Sequence, residues 1–278
     1  IPKLGLGTWL IDNEKVVDVV KDALEVGYRH IDTAQAYGNE EGVGKAIRES
    51  GVPREEIFVT SKIAAEAKTY DEAYNSIVES LNKMGLDYLD LMIIHSPEPW
   101  AEFRGEKRYF EENKEVWRAL ETAYKEGKLK AIGVSNFLKD DLENILSSCK
   151  IKPMVNQILT HISNTKKELI DFCKEHDILV EAYSPIAHGA ALKNETIKQM
   201  AEKYNVSVAQ LCIRYVLELG LVALPKASTK EHIIDNSKVD FEISEDDMKI
   251  LKNMETIENY GNDDFFPVFS GKNQKDNK

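Results

Sequence analysis

Leu89-Asp90-Leu91-Met92-Ile93-Ile94-His95 is apolar at nearly every position and then stops at an imidazole. A strand with water on one face alternates apolar and polar residues. A run that does not alternate is buried on both faces, as in a parallel sheet covered by helices. The same design occurs twice upstream. Tyr28-Arg29-His30-Ile31-Asp32 closes on Asp32, with Tyr37 in the loop just after it, and Ile57-Phe58-Val59-Thr60-Ser61-Lys62 closes on Lys62. In a parallel barrel the C-terminal strand ends converge on one face, so polar residues far apart in sequence meet there.

Outward from these runs, strand and helix alternate along the chain. Strands are expected at 4–7, 28–32, 58–61, 88–94, 130–134, 154–157, 179–183 and 221–225. Helices are expected at 13–26, 40–50, 71–84, 113–126, 139–148, 166–176, 196–204, 208–219 and 230–237. Gly27, Gly51, Gly85 and Gly127 follow four of them as plausible C′ residues, and Pro53 starts a turn. Eight strand–helix pairs in about 250 residues is the arithmetic of a (β/α)8 TIM barrel, a single α/β domain.

The competitor is a doubly wound sheet, which opens with a Gly-rich phosphate loop after its first strand. Gly5-Leu6-Gly7-Thr8-Trp9 lacks that loop. Gly42-Val43-Gly44-Lys45 superficially resembles one but falls inside an amphipathic helix, where paired glycines signal close packing. A further helix is expected at 245–254. The tail from about 259 to 278 is polar, and 271–278 reads as disordered.

The chain has 278 residues, a net charge of −12 and a pI near 5.1. That balance argues against nucleic acid or an anionic membrane as the main partner. No apolar run approaches a membrane span, and no secretory signal is visible, although the first residue is Ile rather than Met. Cys149, Cys173 and Cys212 show no metal-ligand spacing and read as reduced thiols. No metal site is expected, and the expectation is a cytoplasmic protein, monomeric, with a small-molecule substrate.

Asp32, Tyr37, Lys62 and His95 form a chemical set. A phenol is a weak acid, and a nearby ammonium stabilises its phenolate and pulls its pKa down. An aspartate keeps the lysine charged and in place. A histidine orients a carbonyl oxygen or relays a proton. The four have the parts to protonate a carbonyl oxygen as it becomes an alkoxide. None is an electron source, so a reduction needs a hydride-carrying cofactor. Taken singly, each also has a plain structural use: an aspartate as a cap, a tyrosine as packing, a lysine as a solvated charge.

Several blocks, in order, resemble the aldo-keto reductases. They are Gly5-Leu6-Gly7-Thr8-Trp9, the run from Gly27 through His30-Ile31-Asp32-Thr33-Ala34-Gln35-Ala36-Tyr37-Gly38 to Glu40, Leu89 to His95, Gly133-Val134-Ser135-Asn136-Phe137, and Leu224-Pro225-Lys226. The resemblance implies a TIM barrel that reduces aldehydes and ketones with NADPH. It makes Tyr37 the proton donor, with Lys62 and Asp32 lowering its pKa and His95 beside the carbonyl. It places Gly7, Thr8, Trp9 and Asp32 near the coenzyme. Ser135, Asn136 and Gln157 would bond the nicotinamide carboxamide, and Tyr183 would stack on the ring. The segment Ser184-Pro185-Ile186-Ala187-His188-Gly189 would run along the pyrophosphate. Lys226, Ala227, Ser228 and His232 would surround the 2′-phosphate, with Asp235 and Asn236 at the adenine.

Two of these positions depart from the family pattern, which generally has Ser at Ala227 and Arg at His232. Ala227 removes a donor, and His232 cannot form a guanidinium fork. NADPH is therefore expected to remain preferred through Lys226, with NADH tolerated. Trp9 and Trp100, together with Tyr37, His95 and Phe265, are the expected substrate contacts, with Ile11 and Phe266 behind. The compact loops and short tail resemble the prokaryotic 2,5-diketo-gluconate reductase-like branch. Two other functions use similar parts: a Schiff-base enzyme acting through Lys62, and a slow cofactor-binding sensor subunit.

Overall fold

The computed structural model describes residues 1–257, 260 and 266–269. Eight strands pair in sequence order, each parallel to the next: β1 (Leu6–Gly7), β2 (His30–Asp32), β3 (Phe58–Ile63), β4 (Leu91–Ile94), β5 (Ile132–Ser135), β6 (Val155–Leu159), β7 (Leu179–Tyr183) and β8 (Val222–Leu224). The seam between β8 and β1 is joined by parallel bridges, Leu4 with Ala223 and Gly7 with Lys226. Gly5 N donates to Ala223 O at 2.9 Å, and Gly7 N to Pro225 O at 3.0 Å. The expected (β/α)8 barrel is therefore the fold.

The helices are α1 (Lys15–Val26), α2 (Glu40–Glu49), α3 (Tyr70–Met84), α4 (Phe110–Lys125), α5 (Lys139–Leu146), α6 (Lys167–Glu175), α7 (Glu195–Lys203), α8 (Val208–Glu218), α9 (Lys230–Ser237) and α10 (Glu245–Lys252). The first shows why they form. It buries Val16, Val19, Val20, Ala23 and Leu24, a single stripe at helical spacing, and ends at Gly27 with φ 116°. The α8 helix starts on a capping box between Ser207 and Gln210.

Some boundaries differ from expectation for local reasons. The α4 helix begins at Phe110 rather than 113, because left-handed Tyr109 turns the chain and Glu111 and Glu112 suit a first turn. The ladder of β4 begins at Leu91 because the Asp90 carboxylate accepts Val59 N at 2.9 Å and pairs with Arg54 at 2.8 Å. Gly42 and Gly44 are packing residues in α2: a Cβ at Gly44 would stand 2.1 Å from the Met84 carbonyl oxygen, and one at Gly42 would stand 2.2 Å from that of Asn13.

Strand alternation puts the chemistry inside. Leu91, Ile93 and then His95 share one face along β4, while Met92 and Ile94 join the core under the helices. The same parity aligns His30 with Asp32, Gln157 with Val155, and Glu181 with Tyr183. At the barrel mouth, Phe103, Leu159, Phe266, Val268 and Phe269 form a separate cluster against Trp9, Tyr37, Trp100 and Tyr183. Among the described residues, no helix is long and apolar enough to cross a membrane.

Candidate active site

Lys62 is the centre of the site. Its side chain enters from β3 and has no solvent exposure. Its Nζ donates to Asp32 Oδ1 at 2.6 Å, Thr33 O at 2.9 Å and Tyr37 OH at 3.0 Å. All three ammonium hydrogens are thereby used. Burial pushes this ammonium down, but Asp32 and the phenol oppose it and the net shift is upward. A permanently charged, fully bonded lysine is the opposite of the free amine that Schiff-base chemistry requires.

Tyr37 follows β2 on a short 3₁₀ turn, Gln35–Tyr37, that Gly38 ends with φ 68°. Asn39 fixes this corner by accepting from Thr33 Oγ1 and donating to Thr8 O and Ile11 O. The phenol pKa is raised, not lowered as Lys62 alone implied. Desolvation is the larger cause, and the ammonium opposes it without cancelling it. The group therefore holds its proton near neutral pH, with the ammonium beside it to receive a phenolate.

His95 stands edge-on to Tyr37, ring centroids 5.8 Å apart at 75°, and to Trp100 at 5.1 Å and 86°. Burial, and then Lys62, hold its pKa well below the usual imidazole value. It is neutral, and its buried Nδ1 has no hydrogen-bond partner among the described residues. Its backbone carbonyl accepts from Asn136 Nδ2 at 2.9 Å, which ties β4 to β5 at the mouth.

A cavity of about 600 Å³ opens over these groups. Of the expected coenzyme residues, Gly7, Thr8, Trp9, Asp32, Ser135, Asn136, Gln157, Tyr183, Ser184, Pro185, Ile186, Gly189, Lys226, His232, Asp235 and Asn236 line it. Ala227 is buried behind it, and neither Ala227 nor Ser228 reaches its wall. Trp9, Tyr37, His95 and Trp100 line it as expected for substrate contacts. Ile11 lies in the helix-side core instead, and Phe265 falls outside the described residues.

The residues expected to bond the carboxamide are already interlocked. Asn136 Nδ2 also donates to Ser135 Oγ at 3.2 Å, and its Oδ1 accepts from Tyr183 OH at 2.5 Å. Ser135 Oγ donates to Gln157 O at 2.8 Å. Gln157 Nε2 donates to Asp32 Oδ2 at 2.9 Å and to Glu181 Oε1 at 3.1 Å. Asp235 joins α9 to α8, accepting from Ser207 Oγ and from Gln210 Nε2, both at 2.9 Å. Lys226 is exposed and pairs with no carboxylate among the described residues. Partial desolvation where its stem borders the cavity, and then Lys15, depress its pKa.

The cavity has a roof that sequence reasoning found only at His188, within the expected pyrophosphate segment. Leu10, Leu192, Ser207 and Phe269 line it as well. Phe269 stacks on Trp9 at 5.6 Å and 16°, and packs tilted against His188 at 4.0 Å and 54°. Leu10 and His188 have positive φ, 63° and 52°. Such irregular backbone leaves no periodic signal; only Gly189 beside His188 hinted at a turn.

The model of the Aldo/keto reductase family matches residues 3–256. A glyoxal reductase of Bacillus subtilis (strain 168) is 45% identical over 94% of this chain and 91% of its own. A methylglyoxal reductase of Escherichia coli (strain K12), DkgA, is 36% identical over 95% and 93%. A solved aldo-keto reductase complexed with NADPH superposes with a TM-score of 0.84 at 31% identity, over 94% of this chain and 86% of its own. The chain belongs to the aldo/keto reductase family. It is an NADP-dependent oxidoreductase whose reaction class is carbonyl reduction, and neither the Schiff-base nor the sensor alternative finds support.

Proposed function

We propose that this enzyme reduces small aldehydes and α-dicarbonyls to alcohols, with Tyr37 as proton donor. The observation that carries the reading is the 3.0 Å contact between the Tyr37 hydroxyl and the Lys62 ammonium, itself anchored on Asp32 at 2.6 Å. Bound NADPH supplies the hydride. Tyr37 gives its proton to the carbonyl oxygen as that oxygen gains charge, and Lys62 stabilises the phenolate left behind. Neutral His95 orients the carbonyl without competing as an acid. Trp9, Trp100 and Phe266 keep water from the reacting carbon.

The residues suit the coenzyme. Asn136 Oδ1 keeps a second lone pair, and Gln157 Oε1 accepts no hydrogen bond among the described residues, so both can take the carboxamide NH2. Exposed Lys226 offers a cation for the 2′-phosphate near the first turn of α9. Tyr183 is the aromatic for the nicotinamide face, and Ser184, Pro185, Ile186 and Gly189 border the pyrophosphate.

Small dicarbonyls are favoured because an aromatic wall selects by size, and because the relatives named above are glyoxal and methylglyoxal reductases. A monomer in the cytoplasm, with its three cysteines reduced, completes the reading; no disulfide joins them. The test is NADPH oxidation across a panel of aldehydes, α-dicarbonyls and keto-sugars. The highest kcat/KM is expected for methylglyoxal or phenylglyoxal. A panel with no turnover would sink the proposal, and a clear keto-sugar preference would overturn its substrate class.

A further inference from the structure

Below the tetrad, inside the barrel, lies a second carboxyl group that the mechanism does not use. Glu181 on β7 has no exposure, and neither does His30 on β2; Gln157 on β6 is 1% exposed. The Gln157 NH2 group spans the two carboxyls, donating to Asp32 Oδ2 at 2.9 Å and Glu181 Oε1 at 3.1 Å. The remaining oxygen, Glu181 Oε2, faces His30 Nε2 at 3.6 Å. His30 Nδ1 lies 3.1 Å from the Pro2 carbonyl. A carbonyl only accepts, so His30 carries a proton on Nδ1; burial favours the neutral ring, whose Nε2 then has a lone pair on the side of Glu181.

Charge decides the rest. Asp32 contacts the Lys62 ammonium at 2.6 Å, leaving Glu181 without a direct cationic partner among the described residues. Two carboxylates against one ammonium would leave an uncompensated buried anion, which is strongly unfavourable. A proton on Glu181 Oε2 removes that charge; His30 Nε2, at 3.6 Å, is its nearest basic atom, and neither atom has a hydrogen-bond partner among the described residues.

We propose that Glu181 is a positioning residue for carbonyl reduction. Protonated, it holds the Gln157 amide across to Asp32 and leaves Asp32 and Lys62 as a matched pair. Ionised, it adds a second anion beside Asp32 and makes the Tyr37 phenolate harder to form. The inference rests on Tyr37 being the proton donor.

The groups facing Glu181 are His30 and Asp32 on β2, Lys62 on β3 and Gln157 on β6; Asp90 acts on His30 in turn. Desolvation, and then Asp32, raise Glu181 to about 8, while burial lowers His30. Both directions agree with the placement of the proton.

The test is the ratio of reductive kcat at pH 9 to that at pH 6.5, in the wild type and in Glu181→Gln, so that a uniform loss in the variant cancels. The Gln side chain can still accept from Gln157 but cannot ionise. The ratio is expected to be at least about fivefold higher in the variant. Equal ratios would overturn the proposal. Infrared spectra of wild-type enzyme carrying 13C-labelled glutamate give a second readout. In the wild-type spectrum minus that of Glu181→Gln, where the band of buried Glu98 cancels, a protonated-carboxyl band at pH 6.5 should fade by pH 9. No such band in the difference would overturn the proposal. If Tyr37→Phe still turns over, the donor assignment fails while the infrared result stands by itself.

Discussion

At Tyr37 two effects compete, and depth wins: desolvation raises the phenol further than the Lys62 ammonium lowers it. Tyr37→Phe removes the proton and little else. We expect kcat to fall by about 10²–10⁴ with the Kd for NADPH within about threefold. Stopped-flow turnover with fluorescence titration separates the two, and near-normal turnover would remove Tyr37 from its role. The residue scale is also where the sequence was most readable. Asp32, Lys62 and His95 each close a strand, so one parity rule put them on one face, and Tyr37 followed from the block around it. The direction of the phenol shift was not readable, because a sequence shows that Lys62 exists but not how deeply both groups sit. The tie between Gln157 and Glu181 was equally hidden: it joins β6 and β7, and neither strand signals it alone.

At the scale of elements, the alternation of strand and helix was legible because each step carries its own signal, a buried apolar run followed by an amphipathic stripe. Two helices carry tests. The α2 helix approaches α3 only because Gly44 has no side chain. Gly44→Ala drives a methyl into the Met84 backbone and should cost about 1–3 kcal/mol of unfolding free energy; an unchanged urea midpoint would contradict that packing. The first turn of α9 carries exposed His232 where the family pattern has Arg. Wild-type discrimination between NADPH and NADH in kcat/KM should stay under about a thousandfold, or about 4 kcal/mol. His232→Arg should raise it by about tenfold, through a bidentate guanidinium. A preference that the variant leaves unmoved would place the phosphate elsewhere. The sequence could not show that Asp235 ties α9 to α8 through Ser207 and Gln210, a tertiary contact that aligns the two helices at the cavity wall.

For the whole molecule, pH acts through carboxyls buried where charge is costly. Glu98, fully buried after β4, is raised by desolvation to about 7, with Arg104 opposing. Its folded pKa lies above its unfolded value, so the folded state binds the extra proton and stability falls as pH rises between the two. Glu98→Gln stays neutral. Its melting temperature relative to wild type should therefore climb from about pH 4.5 and level off above about pH 7. A difference that is flat with pH would refute this. The barrel closure was legible as a count of strands, but its roof was not, since Phe269, His188 and Leu10 meet through irregular backbone. That roof makes the protein its own optical sensor. Of the three tryptophans, Trp9 and Trp100 face the cavity, while Trp117 is bonded to Ile151 O away from it. Two of the three indoles therefore border the cavity, and a dihydronicotinamide bound there would quench them by energy transfer. Occupancy can be followed from the native chain without a label.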